Sequence, residues 1–514
     1  MRSVHWHPFL LALYPALHLL AYNIASVRPR AAFLSLSISV AAVAVLWLVF
    51  GATLRDRGKG ALLAALAAIL FFSHGHLLGA LGGSDMVAWI LIGGGSVVLV
   101  AAGFGLAFWK GNPRPWNRVL DVVSLALVVI VLVPIAGSEL RPATNLPNGE
   151  RQTEFQTPLG YLPDIYVIIL DAFGRADQLH EIYGVDLSDL QTHLKNRGFV
   201  IPDQARSNYC QTSMSLATLF NSDYLPQLLD GFKEGYKDKG ALNHLVRKGR
   251  NVRQLRDMGY QLVTLTGGSE LAAQADPDVN YKGGALNEFQ ATFLATTPVP
   301  FISSRFENRK TGRWDPFAQH RKTMLYQFRK LPYANADTGP KLVFAHILAP
   351  HPPFVVDALG SEITPNYQFS HQERVAWDGY VEKYAGQATW VAREIQDTVD
   401  GILAASRRPP VILIMGDHGP ASKWIASWRK KGNFQTNDPL VVAERISIFL
   451  ALHLPDGSGG EIYPRVTPVN IFPLIFERCF GETAVLKEDR SFFSTYEEWS
   501  VLWDVNRVLG KHRK

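Results

Sequence analysis

Charge is so sparse in the first 140 residues that five long uncharged runs remain, at 3–27, 31–54, 60–84, 86–109 and 122–138. A helix needs about 20 mainly apolar residues, with a usable range of about 17–25, to cross the hydrocarbon core of a bilayer. The second, third and fourth runs meet that length directly. The fifth is short and extends back over Val119 and Leu120. The first carries Pro15 and His18, and its alternative is a signal sequence; no small-residue cleavage site precedes the next apolar run, so it reads as a helix. The pattern predicts a transmembrane helical domain of about five helices over residues 1–139. His74, His76 and the glycines 93–95 could suggest a transport path, but histidines near helix ends read as interfacial groups.

The few charges in this part report how the chain is threaded. With the N-terminus inside, the inner loops hold Arg2, Arg55, Arg57, Lys59, Lys110, Arg114 and Arg118, and the outer loops only Arg28 and Arg30. This follows the positive-inside tendency and, after five crossings, puts the rest of the chain outside. The expected location is the inner (cytoplasmic) membrane, multi-pass, with an extracytoplasmic C-terminal domain. The formal net charge of +6 would otherwise raise nucleic acid as a partner. Beyond residue 140, however, 42 basic residues face 41 acidic ones, which excludes a nucleic-acid footprint. Two cysteines, Cys210 and Cys479, exclude a disulfide scaffold, and 47% apolar residues exclude disorder.

Residues 140–163 carry four prolines and no apolar period, so a linker is expected there. From 164 to 514 short apolar runs alternate with helical patterns. Strands are expected in DIYVIILD (164–171), KLVFAHIL (341–348), PVILIMGD (410–417) and RISIFLAL (445–452), and NVRQLRDMGYQLVTLTGG (251–268) reads as helix, glycine turn and strand. Tyr384, Gln387, Val391, Ile395, Val399 and Ile402 recur at helical spacing. Strands alternating with helices predict an α/β domain with a mostly parallel central sheet covered by helices. Ligand groups in such sheets gather at the carboxyl ends of strands.

Polar residues stand at those ends. Asp171 follows the first strand, where a turn or cap is its plain alternative. Asp417 and His418 follow another, between Gly416 and Gly419. A carboxylate and an imidazole on tightly turning backbone suit a divalent ion. His351 sits between Pro350 and Pro352, which fix its backbone, while His346, inside a strand, reads as a core histidine. Thr212 opens a helical stretch, either as a simple N-cap or as a hydroxyl in the positive potential of a helix N-terminus. Lys233, Arg305 and Trp314 are candidates to shape an acceptor groove or are solvated surface.

Taken together, ILDAFGR, NYCQTSMSLATLF, HILAPHPPF and MGDHGP, in that order, resemble the alkaline phosphatase/sulfatase superfamily. The likeness is strongest to its membrane-anchored branch of lipoteichoic acid synthases and phosphoethanolamine and phosphoglycerol transferases. The resemblance implies a sulfatase-like catalytic domain over 164–514, with Asp171, Thr212, Asp417 and His418 holding one divalent metal ion, Zn or Mn. It makes Thr212 the nucleophile, with Ser215 matching a serine often found three residues later. His351 matches the histidine that contacts the transferred group or protonates the leaving oxygen. The implied activity moves a phospho-linked headgroup from a membrane lipid donor to a glycan, lipid or water through a phospho-threonine intermediate. The alternatives are a sulfuric ester or phosphate-ester hydrolase and, in another class, a non-catalytic membrane anchor or sensor. Two departures stand out. Asp171-Ala172 replaces the Glu-Ser common in this branch, and Cys210 lies in C-Q-T-S-M, without the Pro and Arg of the C-x-P-S-R setting of classical sulfatases.

Overall fold

The uncharged runs fold as five helices because each can satisfy its own backbone without water. They are α1 (His7–Tyr22), α2 (Pro29–Thr53), α3 (Arg57–Ala80), α4 (Asp85–Phe108) and α5 (Arg114–Glu139). The computed structural model describes residues 5–24, 27, 29–81, 84–139, 158–267, 274–284, 286–306, 315–334, 339–363, 365, 379–431, 438–455, 462–496 and 498–510. Of the expected linker, residues 140–157 lie outside the described residues, as does Trp314.

Among the described residues four helices are long and apolar enough to cross a membrane: Pro29–Thr53, Arg57–Ala80, Asp85–Phe108 and Arg114–Gly137. The last begins well before the uncharged run at 122. Helix α1 has 16 residues, about 24 Å of rise, and contains Pro15 without ending there. It buries Ala12, Ala16, Leu17 and Leu20. Trp6 and Tyr22, at its two ends, are exposed, as aromatic interface anchors are. Asp121 on α5 fixes its start: one carboxylate oxygen accepts from the N–H groups of Trp6 and His7 at 2.9 and 2.8 Å.

Packing divides the described chain into two units. The first takes the described residues of Met1–Pro142 together with those of Ala285–Gln319. The second takes those of Ala143–Gly284, His320–Pro365 and Glu373–Lys514.

The second unit holds a seven-stranded mixed sheet of β1 (Ile165–Leu170), β2 (Phe199–Val200), β3 (Gln261–Thr266), β4 (Val279–Lys282), β5 (Lys341–Ile347), β6 (Val411–Gly416) and β7 (Leu450–His453), in the order β2-β7-β6-β1-β5-β3-β4. Strand β1 is central and parallel to both β5 and β6, and β3 is parallel to β4 and β5. Strand β7 runs antiparallel to β2 and β6. β1 and β6 are buried along their whole length, as strands covered on both faces must be. Helices Thr212–Asn221, Lys239–Arg247 and Ile471–Phe480 pack Phe220, Leu245 and Phe472 onto one core. The long helix Tyr380–Ala405 buries every residue of the expected stripe from Tyr384 to Ile402. One expectation shifts: the run from 445 begins not as strand but as the end of helix Pro439–Ile446. Asp438 caps that helix through the Leu440 N–H at 3.0 Å, with proline at its first position.

Strands β1 and β6 stay in register to their ends, where Leu170 pairs with Gly416. There Gly416 leaves no room for a side chain, since a Cβ would press on the Phe173 carbonyl. Gly416→Ala is expected to cost about 2–4 kcal/mol, read as a lower denaturant midpoint of the full chain; an unchanged midpoint would show that the two strand ends can part.

Candidate active site

Three loops meet at the carboxyl edge of β1, β5 and β6. Asp171 directly follows β1. Its N–H donates to Ile347 O at 3.0 Å, and its own carbonyl accepts from the His351 N–H at 3.1 Å. The next residue, Ala172, takes a left-handed φ of 64°. That conformation is costly without glycine, and it is held from both sides: the Ala172 N–H donates to Asp417 Oδ1 at 3.0 Å, and its carbonyl accepts from the Tyr384 hydroxyl at 2.7 Å.

Asp417 is fully buried, and its Oδ1 also accepts from the His418 N–H at 2.9 Å. His418 Nδ1 lies 3.0 Å from Gly419 O, which assigns the proton to Nδ1 and leaves a lone pair on Nε2. That Nε2 lies 3.6 Å from Asp171 Oδ1, 3.5 Å from Asp417 Oδ2 and 3.3 Å from Thr212 Oγ1. All four residues expected at a metal site are therefore neighbours. Thr212 is half-buried and is the first residue of its helix, not its cap; Gln211 precedes it and makes no side-chain cap. Gln211 is instead tied to Ser494 Oγ and Thr495 O, both at 2.9 Å. Ser215 is buried against Ser207, whose hydroxyl donates to Asp417 O at 2.6 Å. His351 is half-buried, with Nδ1 2.6 Å from Pro352 O, so its proton-exchanging nitrogen is Nε2. Its loop is held by Gln387, which donates to His351 O at 3.1 Å and accepts from the Val355 N–H at 3.0 Å.

Two further residues belong to this cluster. His346 on β5 is buried as a core residue is, yet its Nε2 stands 3.2 Å from Asp171 Oδ2. Asp171, His346 and Asp417 each offer one ligand atom within 4.8 Å of the others. The signal in the sequence is a lone imidazole in an otherwise apolar strand. Arg445 is the second, and only 2% exposed. Its Nε donates to Cys210 O at 2.9 Å, Nη1 to Gly419 O at 2.8 Å, and Nη2 to the Tyr496 hydroxyl at 3.0 Å, while Nη2 lies 3.2 Å from His418 Nε2. Among the described residues no carboxylate forms an ion pair with it. The Asp-Pro pair at 438–439, a helix start, is the cue that places Arg445 at a helix end.

The donor set fits a divalent cation. Asp171 Oδ1 and Asp417 Oδ2 are buried and accept no hydrogen bond, a state that costs free energy unless a cation completes it. Oxygen and imidazole donors together suit Zn²⁺ or Mn²⁺. Burial opposes charge on Asp171, but His351, His346 and His418 outweigh it and hold the carboxyl below the usual range. Burial, then Arg445, pulls His418 down to about 4. Cys210 is buried with its thiol pushed up by burial, so it is not the nucleophile-like group of the cluster.

No family model matches the chain, and no curated protein matches it. Among solved structures it is similar to the integral membrane lipooligosaccharide phosphoethanolamine transferase A of Neisseria meningitidis, at 12% identity over 92% of this chain and 95% of that one, with a TM-score of 0.43. It is also similar to the C-terminal periplasmic domain of EptC from Escherichia coli, at 12% identity over 68% of this chain and 95% of that one, TM-score 0.42. A third is the phosphonate monoester hydrolase of Agrobacterium radiobacter, at 12% identity over 64% and 80%, TM-score 0.38.

Acid should undo this cluster when no cation is bound. His418 and the buried His320 are both lowered to about 4, chiefly by burial, against an ordinary 6.5. The unfolded chain then binds protons that the folded one refuses. Stability present above pH 6.5 is lost as pH falls toward 4, by on the order of 2 kcal/mol per group. Denaturant midpoints of chelator-treated protein at pH 7.5 and 4.5 check this, and His320→Gln should remove part of the difference.

Proposed function

We propose that this chain is a membrane-anchored, metal-dependent transferase that moves a phospho-linked headgroup from a lipid donor to a cell-envelope acceptor. The observation that carries the reading is Thr212, whose half-buried hydroxyl stands 3.3 Å from His418 Nε2 beside two carboxylates with unpaired oxygens. A non-catalytic anchor has no use for so costly an arrangement.

Thr212 Oγ1 attacks the phosphorus of the headgroup ester, forming a P–O bond as the hydroxyl proton passes to water. His351 Nε2 gives a proton to the lipid alcohol as the old P–O bond breaks. The product is a phospho-threonine, resolved when a hydroxyl of a glycan, a lipid or water attacks the same phosphorus and releases Thr212. The uncapped first turn of helix Thr212–Asn221 offers N–H groups and positive potential to the phosphoryl oxygens. Arg445, a buried cation lacking a carboxylate partner among the described residues, offsets their charge from the other side. Asp171, Asp417 and His418 would hold the divalent ion, Zn or Mn, with His346 adjoining; when bound, the ion supplies Lewis-acid stabilisation of oxygen charge. Cys210 and Gly419 carbonyls fix the guanidinium, so it needs no reorganisation during reaction.

The setting is an inner membrane crossed several times with the second unit outside. Its support is the exposed apolar faces of α2, α4 and α5 and the inner bias of Lys and Arg. A lipid donor suits an enzyme anchored in this way.

Incubating the full chain with phospholipid vesicles should leave a mass adduct on Thr212 equal to a phospho-headgroup, and Thr212→Ala should lose both adduct and activity, by at least about a thousandfold. An adduct that persists in Thr212→Ala sinks the nucleophile assignment; turnover of a sulfate ester without any phospho-adduct would favour the hydrolase. Asp417→Asn should lose bound metal by elemental analysis. Arg445→Gln should keep the metal while kcat drops by about a hundredfold or more.

A further inference from the structure

Residues 287–306 lie in the sequence between β4 and β5 of the outer sheet, yet they pack with the membrane helices. They form two short helices, Glu288–Ala295 and Val299–Phe306, joined by a turn at Thr296-Thr297-Pro298. Phe289 and Phe293 are buried in one core with Ala12, Ala16, Ala31 and Phe72. The Phe293 and Phe72 rings stand 5.5 Å apart, and Phe301 meets His74 edge-on at 5.8 Å. Asn287 Nδ2 donates to Ala31 O at 3.4 Å, near the start of α2. The Gly75 N–H donates to Thr296 O at 2.8 Å, and a Cβ on Gly75 would come within 2.6 Å of Ala295 O.

These contacts fix a depth. Helix α3 has 24 residues, about 36 Å of rise, against about 30 Å of hydrocarbon. Phe72 lies eight residues before its Ala80 end, about 12 Å down the axis, so Phe293 sits about 9 Å inside the hydrocarbon boundary. The segment's chemistry agrees. From 289 to 304 there is no charged residue. Polar backbone at this depth must be paired internally, and the bonds of this segment do so at its entry and its turn. The Asn287 and Gln290 side chains cap the entering helix reciprocally. The Thr296 and Thr297 hydroxyls donate to Phe293 O and Leu294 O, both at 2.7 Å, and Ser303 donates to Pro300 O at 3.2 Å.

We infer that residues 287–304 form a re-entrant hairpin inserted in one leaflet, the one at which α1 ends and α2 and α3 meet the surface, with lipid acyl chains as its partner. Its open side is apolar, as the lipid-facing surface of α2 is: Ile302 is 38% exposed, and Phe33, Leu34 and Ile38 of that helix are exposed too. The close approach at Gly75 is what seats it. The inference stands independently of the reaction proposed above.

Spin labels on single cysteines in the full chain, reconstituted in phospholipid vesicles, test it. The sites are Ile302→Cys, Val97→Cys on exposed α4 as the lipid reference, and Leu359→Cys, 79% exposed in the second unit, as the aqueous one. The wild-type chain, whose two thiols are buried, gives the blank. The label at 302 should be relaxed by oxygen and shielded from a water-soluble nickel chelate, as at 97, by several-fold relative to 359. A label at 302 that the chelate reaches as at 359, or that neither reagent reaches, overturns the inference. Adding Gly75→Val should move the 302 label toward the aqueous class while 97 keeps its value; no movement would overturn the seating role of Gly75.

Discussion

The buried carboxylate of Asp417 is the joint on which the site depends. One of its oxygens accepts from Ala172 and His418 at once, tying the end of β1 to the turn after β6. Its carbonyl accepts from Ser207, which brings in the segment that leads to Thr212. Three loops far apart in sequence are thus cross-linked through one residue. Because Oδ1 is committed to backbone, Oδ2 is left as a buried acceptor that takes no hydrogen bond. A strained φ at Ala172 persists because this bond and the Tyr384 hydroxyl hold it from two sides.

Parallel strands make such a site legible. A buried strand reads as an unbroken apolar run, so Asp171 and Asp417 mark strand ends in the sequence, and the sheet then sets those ends side by side. Thr212 was less legible, since a threonine at a helix start serves equally well as a cap; only the fold shows Gln211 in that place. Arg445 was hidden by a run, RISIFLAL, whose apolar residues belong to a helix end and then a strand. His346 was hidden because burial alone does not separate a core imidazole from one that faces a carboxylate across adjacent strands.

The segment 287–304 escaped for a different reason. Pro298 and Pro300 divide it into helices of eight residues, too short to register as membrane-seeking by length. Its partners, among them Gly75 and Phe72, lie some 200 residues earlier in the chain. What marks the segment is the pairing of its backbone carbonyls with threonine and serine hydroxyls, which residue spacing alone does not reveal.

Gly75 carries a consequence for how the polypeptide can be taken apart. A chain that begins after the last membrane helix would retain Phe289, Phe293 and Phe301 but lose Ala12, Ala16, Ala31 and Phe72, which cover the first two, and His74, which meets the third. Such a patch, once wetted, drives self-association. A fragment cut free of the N-terminal helices would therefore be sticky, and only excision of the phenylalanine-bearing loop along with them would give one that stays in solution.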